Sequence, residues 1–327
     1  MIHEKCHQIS GILRKKIEKE QRLSKFLMRI SPKGRILSEE TCAALKYYAS
    51  IMKDGGEKVD LSHIIENKLA APDILAYLWL AIESRCNIIV SGAPPSQRSL
   101  LLNTLNAFIP SNEPAIMISE DANEIKGTGI CNITSLYGSK YNSTTSKENV
   151  LNALRMRPAR IIVNEIRAEE AKHLFMGANT GVSFATTMCS DGEGAQIVKK
   201  LLEKPMCVST KNIGSLDIVV SMQHIDTARQ AISSVSEYRW LSRAEINEGA
   251  KIGEEDMVQV KEIMKEHKID KVALKESKLI ACYSRTRGIT NEDSLEEFER
   301  RAKLIEKSVN LSKSRSVETA IRGYTSW

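Results

Sequence analysis

The chain has 327 residues, of which 42% are hydrophobic and 27% charged, and a net charge of +6, ordinary values for a globular protein. No apolar run approaches the ~20 residues that span a bilayer, and Met1-Ile-His-Glu-Lys-Cys-His lacks the apolar centre of a secretory signal. The seven cysteines (Cys6, Cys42, Cys86, Cys131, Cys189, Cys207, Cys282) form no C-x-x-C pair, which points to reduced thiols of a cytoplasmic protein and against a zinc site.

Residues 1–58 read as a short helical region, broken by the turn signals Ser31-Pro-Lys-Gly34 and Asp54-Gly-Gly56. Between Arg14 and Arg35 lie nine Lys/Arg and two acidic residues, with Leu23, Phe26, Leu27 and Ile30 at helical spacing. Such a stripe on a basic helix is either a solvated face packed on its own domain or a dock for an anionic membrane or acidic partner. Aromatics among these cations are too few to argue for nucleic acid.

A helix over Leu61–Lys68 and a second starting at Ala71-Pro72-Asp73 lead to Asn87-Ile-Ile-Val-Ser91, a short buried strand. There follow the loop Gly92-Ala93-Pro94-Pro95-Ser96-Gln97-Arg98-Ser99 and the helical run Leu100–Phe108. Strand, tight loop and helix are the context in which G-x-x-x-x-G-K-[ST] binds phosphate through backbone N–H groups, a lysine and a Mg²⁺-binding hydroxyl. Gly92 and Ser99 fit that pattern. Gln97 replaces the second glycine, Arg98 replaces the lysine, and Pro95 removes an N–H.

Further apolar runs, Ala115–Ile118, Arg160–Val163, Phe184–Met188 and Leu216–Val220, alternate with helical stretches. That alternation predicts an α/β fold with a mostly parallel sheet flanked by helices. Residues just past the C-terminal ends of such strands converge on one crevice. Glu124, after the second strand, and Glu165, at the end of Arg160-Ile-Ile-Val-Asn-Glu165, would then face the loop, orienting a water or holding Mg²⁺. From about Trp240 the pattern changes, with charged amphipathic helices expected over Glu254–His267 and Ser294–Ser308.

Read together, these segments resemble the motor domain of the type II/type IV secretion and pilus-assembly ATPases, most of all the archaeal archaellum and pilus branch. The likeness is carried by Ala76-Tyr-Leu-Trp-Leu-Ala-Ile-Glu83 before the loop and by the acidic box Glu120-Asp121-x-x-Glu124. It continues through Leu154-Arg-Met-Arg-Pro-Ala-Arg-Ile-Ile-Val-Asn-Glu-Ile-Arg167, Asn179-Thr-Gly181 with Thr186-Thr187, Pro205-Met-x-Val208 and Leu216–Val220. Arg287-Gly-Ile-Thr290 and Leu295–Ala302 resemble the same branch's C-terminal helices.

The resemblance implies a RecA-like P-loop fold, with motor domain 59–238 and a mainly helical C-terminal subdomain 239–327. It also implies ATP and Mg²⁺ between the subunits of a hexameric ring, or of a hetero-oligomer with an intact paralogue, acting on a polytopic membrane platform protein at the inner face of the cell membrane. It carries phosphate and metal contact onto Arg98 and Ser99, water activation and Mg²⁺ onto Glu124 and Glu165, and charge neutralisation at a subunit boundary onto Arg155 and Arg157. Four departures bear on activity: Gln97 and Arg98 in the loop, Asn164 for glycine, Ala159 for aspartate, and Val182 and Cys189 in place of both family histidines. Fewer than 60 residues precede Asp60, so the family's sizeable N-terminal domain is expected to be mostly absent. Two readings follow: a slow ATPase motor, or a pseudo-ATPase serving as a structural or regulatory ring subunit.

Overall fold

Pro72 sits in the first turn of a helix in which nine consecutive residues, Ile74 to Ile82, are all buried, so this stretch is wrapped by protein on every side. The computed structural model describes residues 61–93, 97–110, 112–119, 133–137, 146–224, 230–240, 258–265 and 267–313. The basic segment 14–35 and Glu124 lie outside these. The helical elements are α1 (Leu61–Glu66), α2 (Pro72–Glu83), α3 (Arg98–Asn106), α4 (Ser146–Arg155), α5 (Glu170–Ala178), α6 (Ala195–Leu202), α7 (Thr210–Ile213), α8 (Lys271–Lys275), α9 (Lys278–Arg287) and α10 (Asn291–Lys313). The strands are β1 (Ile88–Gly92), β2 (Ala115–Ser119), β3 (Ile133–Tyr137), β4 (Arg160–Ile166), β5 (Ser183–Cys189), β6 (Ile218–His224), β7 (Gln230–Trp240), β8 (Val258–Glu262), β9 (Met264–Lys265) and β10 (Lys268–Ile269). Among the described residues no helix is long and apolar enough to cross a membrane.

One sheet takes eight of the strands in the order β3-β2-β4-β5-β1-β6-β7-β8. The first six in sequence run parallel, while β7 and β8 continue antiparallel. The loop strand β1 is thus separated from the acidic strand β4 by one strand, β5, in a mostly parallel α/β sheet flanked by helices. Parallel strands covered on both faces lose their alternation. Accordingly, β1 and β2 are buried at every position.

The segment around 254–267, expected to be an amphipathic helix, instead carries the strands β8 and β9 within its described residues. Its Val258 and Val260 alternate with Gln259 and Lys261, a period of two, and β8 pairs with β7 from Trp240↔Val258 to Ser236↔Glu262. The other expected helix, Ser294–Ser308, lies within α10.

Polar ties fasten the C-terminal helices to the sheet and to α2. Glu237 of β7 is buried and accepts from the Tyr77 hydroxyl at 2.8 Å, the Lys278 N–H at 2.8 Å, the Leu279 N–H at 3.1 Å and the Ser277 hydroxyl. A carboxylate at the first turn of α9 complements the free N–H groups and the helix dipole there. On the other side, Arg301 of α10 lies 4.4 Å over the Trp79 ring and pairs with Glu83 at 3.0 Å and Glu297 at 2.8 Å.

Three phenols in this core make stability sensitive to alkali. Burial raises Tyr77, helped by the nearby Glu237 carboxylate, and it likewise raises Tyr238 and pushes Tyr283 up to about 12. The folded chain therefore keeps protons that the unfolded chain releases near pH ~10, the ordinary tyrosine value. Stability from this source is complete below that pH and is lost as pH rises toward the folded values. Urea unfolding should show a midpoint that falls as pH rises from about 9 to about 11.5, across the ordinary tyrosine value. Tyr283→Phe should flatten that fall, and a midpoint constant across the range would contradict the assignment.

Candidate functional site

The C-terminal ends of β1, β5 and β4 bring Gly92, Met188 and Glu165 to one edge of the sheet. Gly92 is there because β6 passes close by: a Cβ on residue 92 would stand 2.9 Å from the Met222 carbonyl oxygen. β4 carries a register shift between Val163 and Ile166, so Asn164 and Glu165 sit in a bulge. A bulge re-aims side chains at the end of a strand, and this one brings Glu165 within reach of the helix that follows the β1 loop.

Arg98 opens α3 with Gln97 as its N-cap. Its guanidinium is turned back onto the strand ends. Nη1 donates to the Gly92 carbonyl and, at 3.2 Å, to the Met188 carbonyl, while Nη2 meets Glu165 Oε1 at 3.3 Å. Arg98 is 9% exposed, so these acceptors are its main source of compensation for lost water. The other oxygen of Glu165 is taken by Arg167, whose Nη2 and Nε lie 2.6 and 2.9 Å from Oε2. Each carboxylate oxygen thus has an arginine on it.

Gln97 is held as well. Its backbone N–H donates to Gln230 Oε1 at 2.9 Å, and Gln230, the first residue of β7, is buried. Since that N–H can only donate, the Gln230 amide must present oxygen to it and nitrogen to the His224 ring, 2.8 Å away. His224 Nε2 is therefore the acceptor of the pair. Ser99 follows in the first turn, half-buried. Nearby, the Thr187 hydroxyl donates to the Asn164 carbonyl, closing β5 against the bulge.

The residues singled out in the sequence fall into three groups. Gly92, Gln97, Arg98 and Glu165 are brought together, with Ala93 and Ser99 beside them. Pro94, Pro95, Ser96 and Glu124 lie outside the described residues. Arg155 and Arg157 are brought elsewhere: both are exposed and stand before the N-terminal end of β4, whereas Glu165 is near its C-terminal end. Five residues of strand at ~3.3 Å each separate the two ends, roughly 17 Å. Arg155 there donates to Asn152 Oδ1 at 3.2 Å, and Arg157 adopts a left-handed φ of 50°. Of the two positions expected to stand for the family histidines, Val182 packs partly against the core and Cys189 ends β5 opposite Gly92.

Two participants were not read from the sequence. Gln230 is hard to find because the serines of β7 interrupt its apolar pattern and Gln230 stands at its polar first position. Arg167 was discoverable, because in extended backbone a residue two places after Glu165 returns to the same side.

A family model described as type II/IV secretion system protein matches residues 53–310. An uncharacterized protein of Methanocaldococcus jannaschii is 36% identical over 140 residues, covering 42% of this chain and 51% of that protein. The type IV secretion system protein VirB11 of Bartonella quintana is 32% identical over 124 residues, covering 37% and 35% respectively. The conjugal transfer protein TrbB of Rhizobium radiobacter is 27% identical over 189 residues, covering 55% and 57%. The matches thus span less than two thirds of each of these relatives' own lengths. Among solved structures, the VirB11 ATPase of the Brucella suis type IV secretion system, in complex with sulphate, overlaps with a TM-score of 0.43 at 20% identity, over 63% of each chain. The pilus retraction motor PilT with bound ADP overlaps with a TM-score of 0.40 at 16% identity, over 77% of this chain and 67% of that one.

Proposed function

The chain belongs to the type II/IV secretion system protein family, and from that premise we propose that it is a motor-family subunit in which ATP binding and hydrolysis are lost or strongly weakened. It acts as a structural or regulatory member of a ring, built from its own copies or with an intact paralogue. Its place is the inner face of the membrane, against the platform protein of a pilus, archaellum or secretion machine. The archaeal assignment rests on the motif likeness and on the Methanocaldococcus relative.

One observation carries the loss of phosphate chemistry: the Arg98 guanidinium is folded onto Gly92, Met188 and Glu165. A P-loop cradles phosphate with inward N–H groups, a point-charge lysine and a hydroxyl on Mg²⁺, with a carboxylate nearby to orient water or metal. In this chain the N–H at the second-glycine position is bonded to Gln230, the cation at the lysine position is bonded to protein, and both oxygens of Glu165 face arginines. An Mg²⁺ ion would have to displace an arginine from Glu165. The arrangement does not fit Mg-ATP as it stands.

A slow motor is the competing reading, favoured by Ser99 and Glu165 at the positions where the family carries its metal-binding hydroxyl and its acid. The two are separated by turnover. The purified chain, alone or mixed with an intact family member, is expected to release phosphate from Mg-ATP no faster than its Glu165→Gln variant does under the same conditions. Turnover above that control would establish the motor instead.

A further inference from the structure

Ligand binding in a P-loop fold draws the strand ends around the phosphates together through the loop's N–H groups and its lysine. Here a single side chain already joins three of those ends. Arg98 reaches the carbonyl of Gly92 in β1, the carbonyl of Met188 in β5 at 3.2 Å, and the carboxylate of Glu165 in β4 at 3.3 Å. The adjoining Gln97 N–H ties in a fourth strand, β7, through Gln230 at 2.9 Å. The Gly92 carbonyl also receives the Ser190 N–H at 3.2 Å, so the end of β1 is tied to the end of β5 by backbone as well as by Arg98.

Arginine suits this role in a way that lysine does not. Its planar fork offers donors in fixed directions to several acceptors at once, whereas an ammonium is one compact charge. Glu165 neutralises the buried cation, and Arg167 holds that carboxylate from its other side. The two residues that depart most from the P-loop pattern, Gln97 and Arg98, are therefore the two that cross-link the crevice.

Resting on the reading of a subunit without phosphate chemistry, we infer that Gln97 and Arg98, with Gln230 and Glu165 as their acceptors, form a latch that takes over the structural role of the bound nucleotide. It holds the strand ends and the start of α3 in one arrangement whether or not Mg-ATP is present. The subunit would then offer its neighbours a constant surface while intact subunits cycle.

Hydrogen exchange read by mass spectrometry on the full chain tests this, comparing wild type, Arg98→Lys and Gln230→Ala, each with and without Mg-ATP. Wild-type exchange in α3 and at Ser190 should be the same in both conditions. Each variant should speed exchange of the Leu101, Leu102 and Ser190 amides by about tenfold or more, a local opening that leaves α9 unchanged. Unchanged exchange at those amides in both variants would overturn the latch, since strand pairing alone would then hold the crevice. Protection of wild-type α3 by Mg-ATP would overturn it too. The absence of turnover is read from phosphate release and can stand if the latch falls, so the two ideas fail separately.

Discussion

The double substitution Gln97→Gly/Arg98→Lys is expected to tighten Mg-ATP binding by about a hundredfold or more over wild type. Two changes combine. Glycine lets the loop backbone approach the phosphates closely, and lysine restores a mobile point charge that cannot span Gly92, Met188 and Glu165 together. Glu165 is then left with Arg167, an exposed partner that gives way more easily than a buried one. Two recovered charge-assisted contacts at ~1.5 kcal/mol each give ~3 kcal/mol, which is the hundredfold expected. Each single substitution should recover less, because Gln97 and Arg98 act on one loop and their effects are coupled. Calorimetry that finds the double variant no tighter than wild type would place the defect elsewhere in the crevice.

The largest expected loss of stability comes from Arg301→Ala, at about 3–5 kcal/mol, the range for stripping one partner from a buried ion pair. Arg301 is 2% exposed and joins α10 to α2 through Glu83 and its place over the Trp79 ring, while Glu297 of its own helix holds it from one turn before. Its removal leaves Glu83, whose side chain is 3% exposed, to Arg287 and to the Trp79 Nε1–H. Arg301→Lys should also be costly, since an ammonium neither stacks on Trp79 nor bridges two carboxylates as the fork does. Urea unfolding of Arg301→Ala, Glu83→Gln and the double variant measures this directly. The double variant should lose clearly less than the sum of the singles. Additive losses would mean that the ion pair contributes little and that α10 is held by its apolar face.

The elements that position the crevice were legible because burial in a parallel sheet leaves unbroken apolar runs. Ile88–Val90 and Ile161–Val163 are such runs, and each ends in the residues that matter, Gly92 and Glu165. The antiparallel extension was not legible in the same way. β7 buries Gln230, Ser234, Ser236 and Glu237, and the partners that hold Gln230 and Glu237, Gln97 and Tyr77 among them, are distant in sequence, so the polar residues of this segment do not announce a buried strand. The direction of Arg98 was illegible for a related reason. Its acceptors are backbone carbonyls of β1 and β5 and a carboxylate aimed by a bulge in β4, and a carbonyl has no signature in the sequence. Residue identity alone leads only to the expectation of a weaker phosphate site, whereas the fold adds that the substituting side chain has other partners.

The proposal that phosphate chemistry has been exchanged for an internal tie is tested most directly by titrating Mg-ATP into the wild-type chain in a calorimeter. No binding in the micromolar range is expected, because Arg98 and the Gln97 N–H are already bonded within the protein. A saturating isotherm at micromolar concentration would contradict it, since the nucleotide would then be displacing Arg98 from Glu165 with affinity to spare.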